Sequence, residues 1–180
     1  MSKRVAVLMG GRSAEREVSL VTGKACAEGL SQKGYDVLAI DVGHDLDDLL
    51  RALQPRPDAV FNALHGHFGE DGRVQGLLDL LALPYTHSGL LASALAMDKP
   101  LAKQVFAGIG LRCPEGKVIT VEALLKSDPF PRPYVAKPAA EAPASACASC
   151  GPATTCRRWA ASTGPSAPRC WSSATSPGAS

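Results

Sequence analysis

Two short stretches of this sequence concentrate side chains that could do chemistry. The first is Gly10-Gly11-Arg12-Ser13-Ala14-Glu15-Arg16-Glu17-Val18-Ser19; the second is Leu64-His65-Gly66-His67-Phe68-Gly69-Glu70-Asp71-Gly72. Glycines let a backbone approach a ligand closely, and a helix that starts just after such a turn presents free N–H groups. Alone, the Gly-Gly pair reads equally well as a tight turn, with Glu15 and Glu17 as acids that favour a helix N-terminus. It lacks the G-x-G-x-x-G spacing of a dinucleotide site, although Asp41 stands where a ribose-binding acid would. The second stretch holds three glycines, two histidines and two acids in nine residues. His65 and His67 are only two apart and no third ligand is evident, so a metal is the weaker reading. A loop that contacts substrate from a rigid scaffold is the stronger one.

The elements that must position these loops follow from hydrophobic rhythm. Arg4 to Met9 is a short apolar run ended by glycines, suited to a buried parallel strand. Val18 to Lys33 reads as an amphipathic helix with Leu20, Cys26, Ala27 and Leu30 on one side and Gly34 as its C-cap. Tyr35 to Ile40 and Asp58 to Leu64 are further strands. Leu46 to Leu53, Gly72 to Leu83 and Leu90 to Met97 are helices, and a short strand is expected around Pro84-Tyr85. Strands alternating with helices predict an α/β fold, a parallel Rossmann-like sheet with helices on both faces. In such sheets functional loops lie beyond the carboxyl ends of strands, where both glycine-rich stretches fall.

Composition sets outer limits. With 19 Lys and Arg against 17 Asp and Glu, the net charge of +2 gives no reason to expect nucleic acid or an anionic membrane as partner. Val5 to Met9 is too short for a signal peptide, and Asp79, Pro84 and His87 interrupt the richest apolar region, so the expected location is cytoplasmic. The chain changes character near Lys137. From Ala139 to Ser180 it contains no Val, Ile, Leu, Met, Phe or Tyr, and Glu141 is the one acid. Such a segment cannot bury enough aliphatic surface to offset the backbone entropy of ordering, about 1–2 kcal/mol per residue, and is expected to be disordered.

Taken together and in order, several motifs resemble those of D-alanine–D-alanine ligases. They are the first loop, Leu64-His65-Gly66 with Gly69-Glu70-Asp71-Gly72, Leu83-Pro84-Tyr85-Thr86 with Ser88-Gly89, Met97-Asp98-Lys99, and Tyr134-Val135-Ala136-Lys137-Pro138. The likeness covers roughly residues 3 to 141. It implies a pre-ATP-grasp sheet in residues 1–97, the start of an ATP-grasp domain in 98–138, and an out-of-frame tail in 139–180. It also implies an enzyme of cell-wall peptidoglycan synthesis that uses ATP and Mg2+ (or Mn2+) to join two D-alanines through an acyl phosphate, usually as a homodimer. On the matching positions, Glu15 would anchor the first substrate's ammonium and His65 would lie beside the reacting carboxylate. Val18, Ser19 and Gly66 would line the substrate, and Lys99, Lys137 and Glu141 would face ATP. The acids that hold the metal in the family have no counterpart in this sequence.

Beyond Glu141 the family continues into a Gly- and Ser-rich loop that closes over ATP, whereas this chain reads Ala142-Pro143-Ala144-Ser145-Ala146-Cys147. The third base of each codon joined to the first two of the next, starting in Glu141, permits Ser-Ala-Ser-Val-Gly-Val-Arg-Ile-Val. That resembles the missing loop and strand, so a frameshift near codons 138 to 141 is expected, with the chain inactive as a ligase. Cys147 and Cys150 have C-x-x-C spacing, but no second pair or histidine pair completes a zinc site. Cys26 and Cys113 read as ordinary buried thiols. Two other readings remain open: a Rossmann-type nucleotide-binding module, favoured by Asp41, and a non-catalytic dimerising domain.

Overall fold

The computed structural model describes residues 2–139, 148–150 and 169–174. The chain divides into two compact units, Met1–Ala94 and Leu95–Ser180.

In the first unit, β1 (Arg4–Gly10) runs between β2 (Asp36–Val42) and β3 (Ala59–Asn62). Both pairings are parallel, with Leu8 opposite Ile40 on one side and Asn62 on the other. The segment after β3 returns to the same sheet: Val60 N–H donates to Pro84 O (2.8 Å) and Thr86 N–H to Val60 O (3.0 Å). This is the short strand-like piece expected around Pro84-Tyr85.

Period-two alternation along β1 sends its side chains to two separate cores. Ala6 and Leu8 join Ile40, Val60, Leu49 and Leu53 of α2 (Leu46–Ala52), and Val74 and Leu78 of α3 (Arg73–Leu80). Val7 and Met9 join Ala63 and the inner side of α1 (Arg16–Gln32), where Leu20, Ala27 and Leu30 pack. Helices therefore cover both faces, as the sequence rhythm predicts. Gly23 lets α1 approach closely, since a Cβ there would lie 2.4 Å from Met9 Cβ. Gly34, at φ +87°, ends α1 by a left-handed turn in which Tyr35 N–H reaches back to Leu30 O (3.2 Å). The helix ends are tighter than the sequence suggests: α3 stops at Leu80, because Ala82 turns left-handed (φ 51°) before Leu83 re-enters the core. Cys26 and Cys113 are free thiols, half-buried rather than fully buried. The last helix beginning in this unit is α4 (Leu90–Met97).

The second unit contains α5 (Lys99–Gly108), β4 (Gly116–Thr120), α6 (Val121–Lys126) and β5 (Tyr134–Pro138). Asp98 and Thr120 cap α5 and α6 by accepting from Leu101 N–H (2.9 Å) and Ala123 N–H (3.2 Å). Leu124, Tyr134 and Ala136 form its small core with Ile119, Val121 and Phe130. Burial and a hydrogen bond to Asp128 (2.6 Å) push the Tyr134 phenol up to about 12.

Two segments fall in the part of the chain whose composition suggests disorder: β6 (Ala148–Cys150) and β7 (Arg169–Ala174). They complete an antiparallel sheet of order β4-β7-β5-β6, with β7 paired to both neighbours. These nine residues are the described part of the tail after Ala139. A strand ladder is made by backbone groups, so β4 and β5 can template partners that carry no aliphatic side chains. The remainder of the tail lies outside the described residues.

Candidate functional site

The site begins with a turn that only glycine can make. Gly10 and Gly11 both have positive φ (+80° and +87°), and a Cβ on Gly10 would fall 2.1 Å from Asp41 Oδ1. That carboxylate sits so close because Arg16 grips it with two hydrogen bonds, of 2.8 and 2.7 Å. Arg12 adds a second tie to the end of β2, donating to Gly43 O (3.2 Å) and His44 O, while its guanidinium lies 5.2 Å from the Phe68 ring centroid. The β1–α1 loop is thereby strapped to the β2 side of the sheet. Asp41 is engaged by Arg16, which removes the feature that favoured a ribose-binding acid.

The β3–α3 loop is held from beneath. Asn62 and Gln75, both buried, donate to Gly69 O at 2.9 and 2.8 Å, and Asn62 Oδ1 accepts from Leu64 N–H at 3.1 Å. Gly69 packs so tightly that a Cβ would lie 2.4 Å from Leu64 Cβ and 2.9 Å from Leu64 carbonyl carbon. Gly69→Ala is therefore expected to destabilise the first unit by about 1–3 kcal/mol through overpacking. Urea unfolding would show this as a lowered midpoint; an unchanged midpoint would contradict the described packing.

Asp71 closes the same loop. Its carboxylate accepts from Phe68 N–H (2.9 Å), Arg73 N–H (3.2 Å) and His67 Nδ1 (3.0 Å), with Arg73 Nη1 at 3.3 Å. Burial pushes its pKa upward, but the two amides, His67 and the Arg73 charge together hold it below the usual value. A depressed carboxylate contributes stability that is present above its unfolded pKa, about 3.9, and lost as pH falls through the folded value. Asp71→Asn should thus lower Tm at neutral pH, and the gap to the parent should shrink below pH about 4. A gap constant from pH 7 to 3 would refute this assignment.

These two loops bring Glu15 and His65 together beyond the carboxyl ends of adjacent parallel strands. A Cβ on Gly66 would fall 2.9 Å from Glu15 Oε2, so the carboxylate lies against the turn that follows His65. Ser13 joins the loops directly: its hydroxyl donates to His65 O (2.7 Å) and accepts from Glu15 N–H (3.1 Å). Glu70 accepts from Gly66 N–H (2.8 Å) and stands 3.7 Å from His65 Nδ1, while Thr22 Oγ1 is 3.5 Å from His65 Nε2. Both Glu15 and His65 are half-buried, open to a small ligand.

The other singled-out positions fall as follows. Gly66 is buried in the junction and Val18 is exposed on the first turn of α1. Ser19 is fully buried and donates to Ala63 O (2.7 Å), stitching α1 to the end of β3 rather than facing solvent. In the second unit, Lys99 N–H donates to Ala139 O (3.1 Å), so the start of α5 meets the residue that follows β5, the strand that carries Lys137. Both lysines are half-buried. Glu141 lies outside the described residues. Among the described residues no group of three His, Cys, Asp or Glu side chains could hold a metal ion, and no helix is long and apolar enough to cross a membrane. Sequence reasoning passed over Ser13 and Glu70 as linkers. The available signal was Ser13 two residues before Glu15, a spacing at which a hydroxyl often bonds the backbone ahead of a helix.

Comparison with known proteins fits this geometry. A family model described as D-ala D-ala ligase N-terminus matches residues 46–88. The D-alanine–D-alanine ligase of Acidiphilium cryptum is 57% identical over 139 residues, covering 77% of this chain and 46% of that protein. By these matches the N-terminal part of the chain is similar to D-alanine–D-alanine ligases. The ligase of Methylobacterium radiotolerans is 58% identical over 141 residues, 78% of this chain and 45% of that one. Crystal structures of the Bacillus anthracis D-alanine–D-alanine ligase agree. One superposes with TM-score 0.67 at 32% identity, covering 81% of this chain and 48% of that chain. Another, complexed with ATP, gives 0.64 at 33% identity, over 77% and 48%. The chain spans about half the length of the curated ligases it matches. The α/β fold with a parallel sheet is thus that of the ligases' front part.

Proposed function

We propose that this chain carries the D-alanine-binding loops of an ATP-dependent D-alanine–D-alanine ligase of peptidoglycan synthesis. The observation that carries the reading is the Glu15 carboxylate set against the His65–Gly66 turn, in a sequence 57% identical to a ligase over 139 residues. In this role Glu15 pairs with the ammonium of the first D-alanine. The carboxylate of that D-alanine lies towards His65, whose ring can hydrogen-bond it. Val18 and Gly66 bound the pocket, and Ser19 holds α1 against the strand that carries His65.

Residues 98–138 are assigned to the beginning of an ATP-grasp domain. Lys99 and Lys137 suit the phosphates of ATP, since cations stabilise charge that develops during phosphoryl transfer; when bound, ATP supplies the phosphoryl group that activates a carboxylate. Glu141 is assigned to the nucleotide by its place after β5. The described residues do not fit a magnesium ion, and no step is assigned to one. A homodimer in the cytoplasm is the setting that goes with this assignment.

D-alanine titrated into the full chain should shift the Gly66 backbone amide in NMR spectra, and D-lactate, which lacks the ammonium, should not. Glu15→Gln should weaken D-alanine by about 1.5–3 kcal/mol, the range for a hydrogen bond to a charged group. Equal responses to D-alanine and D-lactate would remove Glu15 from its role.

A further inference from the structure

We infer that Ser13 is a positioning residue that sets Glu15 in register with the His65–Gly66 turn. A serine hydroxyl has one proton to give and lone pairs to receive, and both capacities are used here on the two site loops. It gives its proton to His65 O at 2.7 Å and receives the Glu15 N–H at 3.1 Å. One small side chain thus touches the backbone of both residues assigned to the substrate.

The other ties of the β1–α1 loop run elsewhere. Arg16 and Arg12 bind Asp41, Gly43 and His44 at the end of β2. Those bonds fix where the loop leaves the sheet; on the β3 side Ser19 holds α1 to Ala63 O, and the Ser13 hydroxyl holds the loop itself to His65 O. Nor is Ser13 needed to start α1. Arg16 N–H donates to Ser13 O (3.2 Å) and Ser19 N–H to Glu15 O (3.0 Å), bonds that involve no hydroxyl. Contact across the junction is close: a Cβ on Gly66 would lie 3.1 Å from Ser13 Cβ as well as 2.9 Å from Glu15 Oε2. Without the hydroxyl, Glu15 N–H and His65 O lose their bridge, and the carboxylate is free to drift from the turn.

The link to D-alanine rests on the function proposed above; the link between Ser13 and Glu15 does not. The test is amide hydrogen exchange read residue by residue on the full chain, with D-alanine affinity measured on the same samples. In the parent, the Glu15 amide should exchange well below the rate of an unprotected amide. Ser13→Ala should accelerate it about tenfold and weaken D-alanine about fivefold to tenfold, the scale of one side-chain hydrogen bond. Amides of Val7 and Leu8 in β1 should not change, and Ser13→Thr, which keeps the hydroxyl, should restore both readouts. An unprotected Glu15 amide in the parent would overturn the inference even if Ser13→Ala failed to fold, as would a Ser13→Ala protein with unchanged Glu15 exchange. If exchange responds as expected but the parent binds no D-alanine, the proposed function fails and the positioning of Glu15 stands.

Discussion

Incubated with D-alanine, ATP and magnesium, the 180-residue chain is expected to form no D-alanyl-D-alanine above background. Phosphoryl transfer is catalysed almost wholly by positioning and by charge placed around the phosphates and the metal. In the proposed assignment Lys99 and Lys137 would supply part of that charge, so faint nucleotide binding is compatible with the expectation. Among the described residues no three potential metal ligands cluster, and between Lys137 and Ser180 the one acid is Glu141. Magnesium at such a site would be held by one or two carboxylates together with the nucleotide phosphates, and beyond Lys137 only Glu141 could supply one. Coupled phosphate release and chromatographic detection of the dipeptide would read the outcome. Turnover near that of a full-length ligase would show that the chemistry needs fewer groups than this.

Much of the first unit was legible because its strands and helices are specified locally. Val5 to Met9, a short apolar run ended by glycines, suits a buried strand, and the alternation that sends Leu8 one way and Met9 the other is written in adjacent residues. Both loops were also visible, since glycine in Gly10-Gly11 and Gly69 is required by backbone geometry and close packing that leave few alternatives. What stayed hidden depends on residues far apart in sequence. Nothing near Ser13 says that its hydroxyl meets His65 O, 52 positions away, and nothing near Asp41 says that Arg16 will occupy it. Ser19 shows the limit differently. A motif places it beside substrate, but its burial and its bond to Ala63 O give it a part in the scaffold.

Insertion of one base near codons 138 to 141 is expected to convert the tail into an aliphatic strand-forming sequence and to restore ligase activity in a gene read through to its own stop. The second sheet gives this expectation its physical basis. β7 pairs with both β4 and β5, an inner position that ordinarily holds Val, Ile or Leu, yet Arg169–Ala174 reads Arg-Cys-Trp-Ser-Ser-Ala. Joining the third base of each codon to the first two of the next permits Val-Leu-Val-Glu-Arg-Tyr-Ile over the codons from Arg169 to Ser176. The same offset permits Arg-Ile-Val across Cys147 to Cys150, which contains β6. One offset therefore permits β-branched and aliphatic residues at both strands that lack them. The DNA sequence decides the matter before any protein is made. The reading requires G as the third base of Arg169 and of Trp171, the latter given by the single tryptophan codon, TCG at Ser172 and AGC at Ser173; either cysteine codon at Cys170 gives Leu. It also requires that no stop codon interrupt the offset frame between codons 141 and 180. A different base at Arg169, another codon at Ser172 or Ser173, or one stop in that frame, would sink it. If the codons agree, the repaired protein should gain dipeptide synthesis that the 180-residue chain lacks, and Glu15→Gln in that repaired protein should take most of it away.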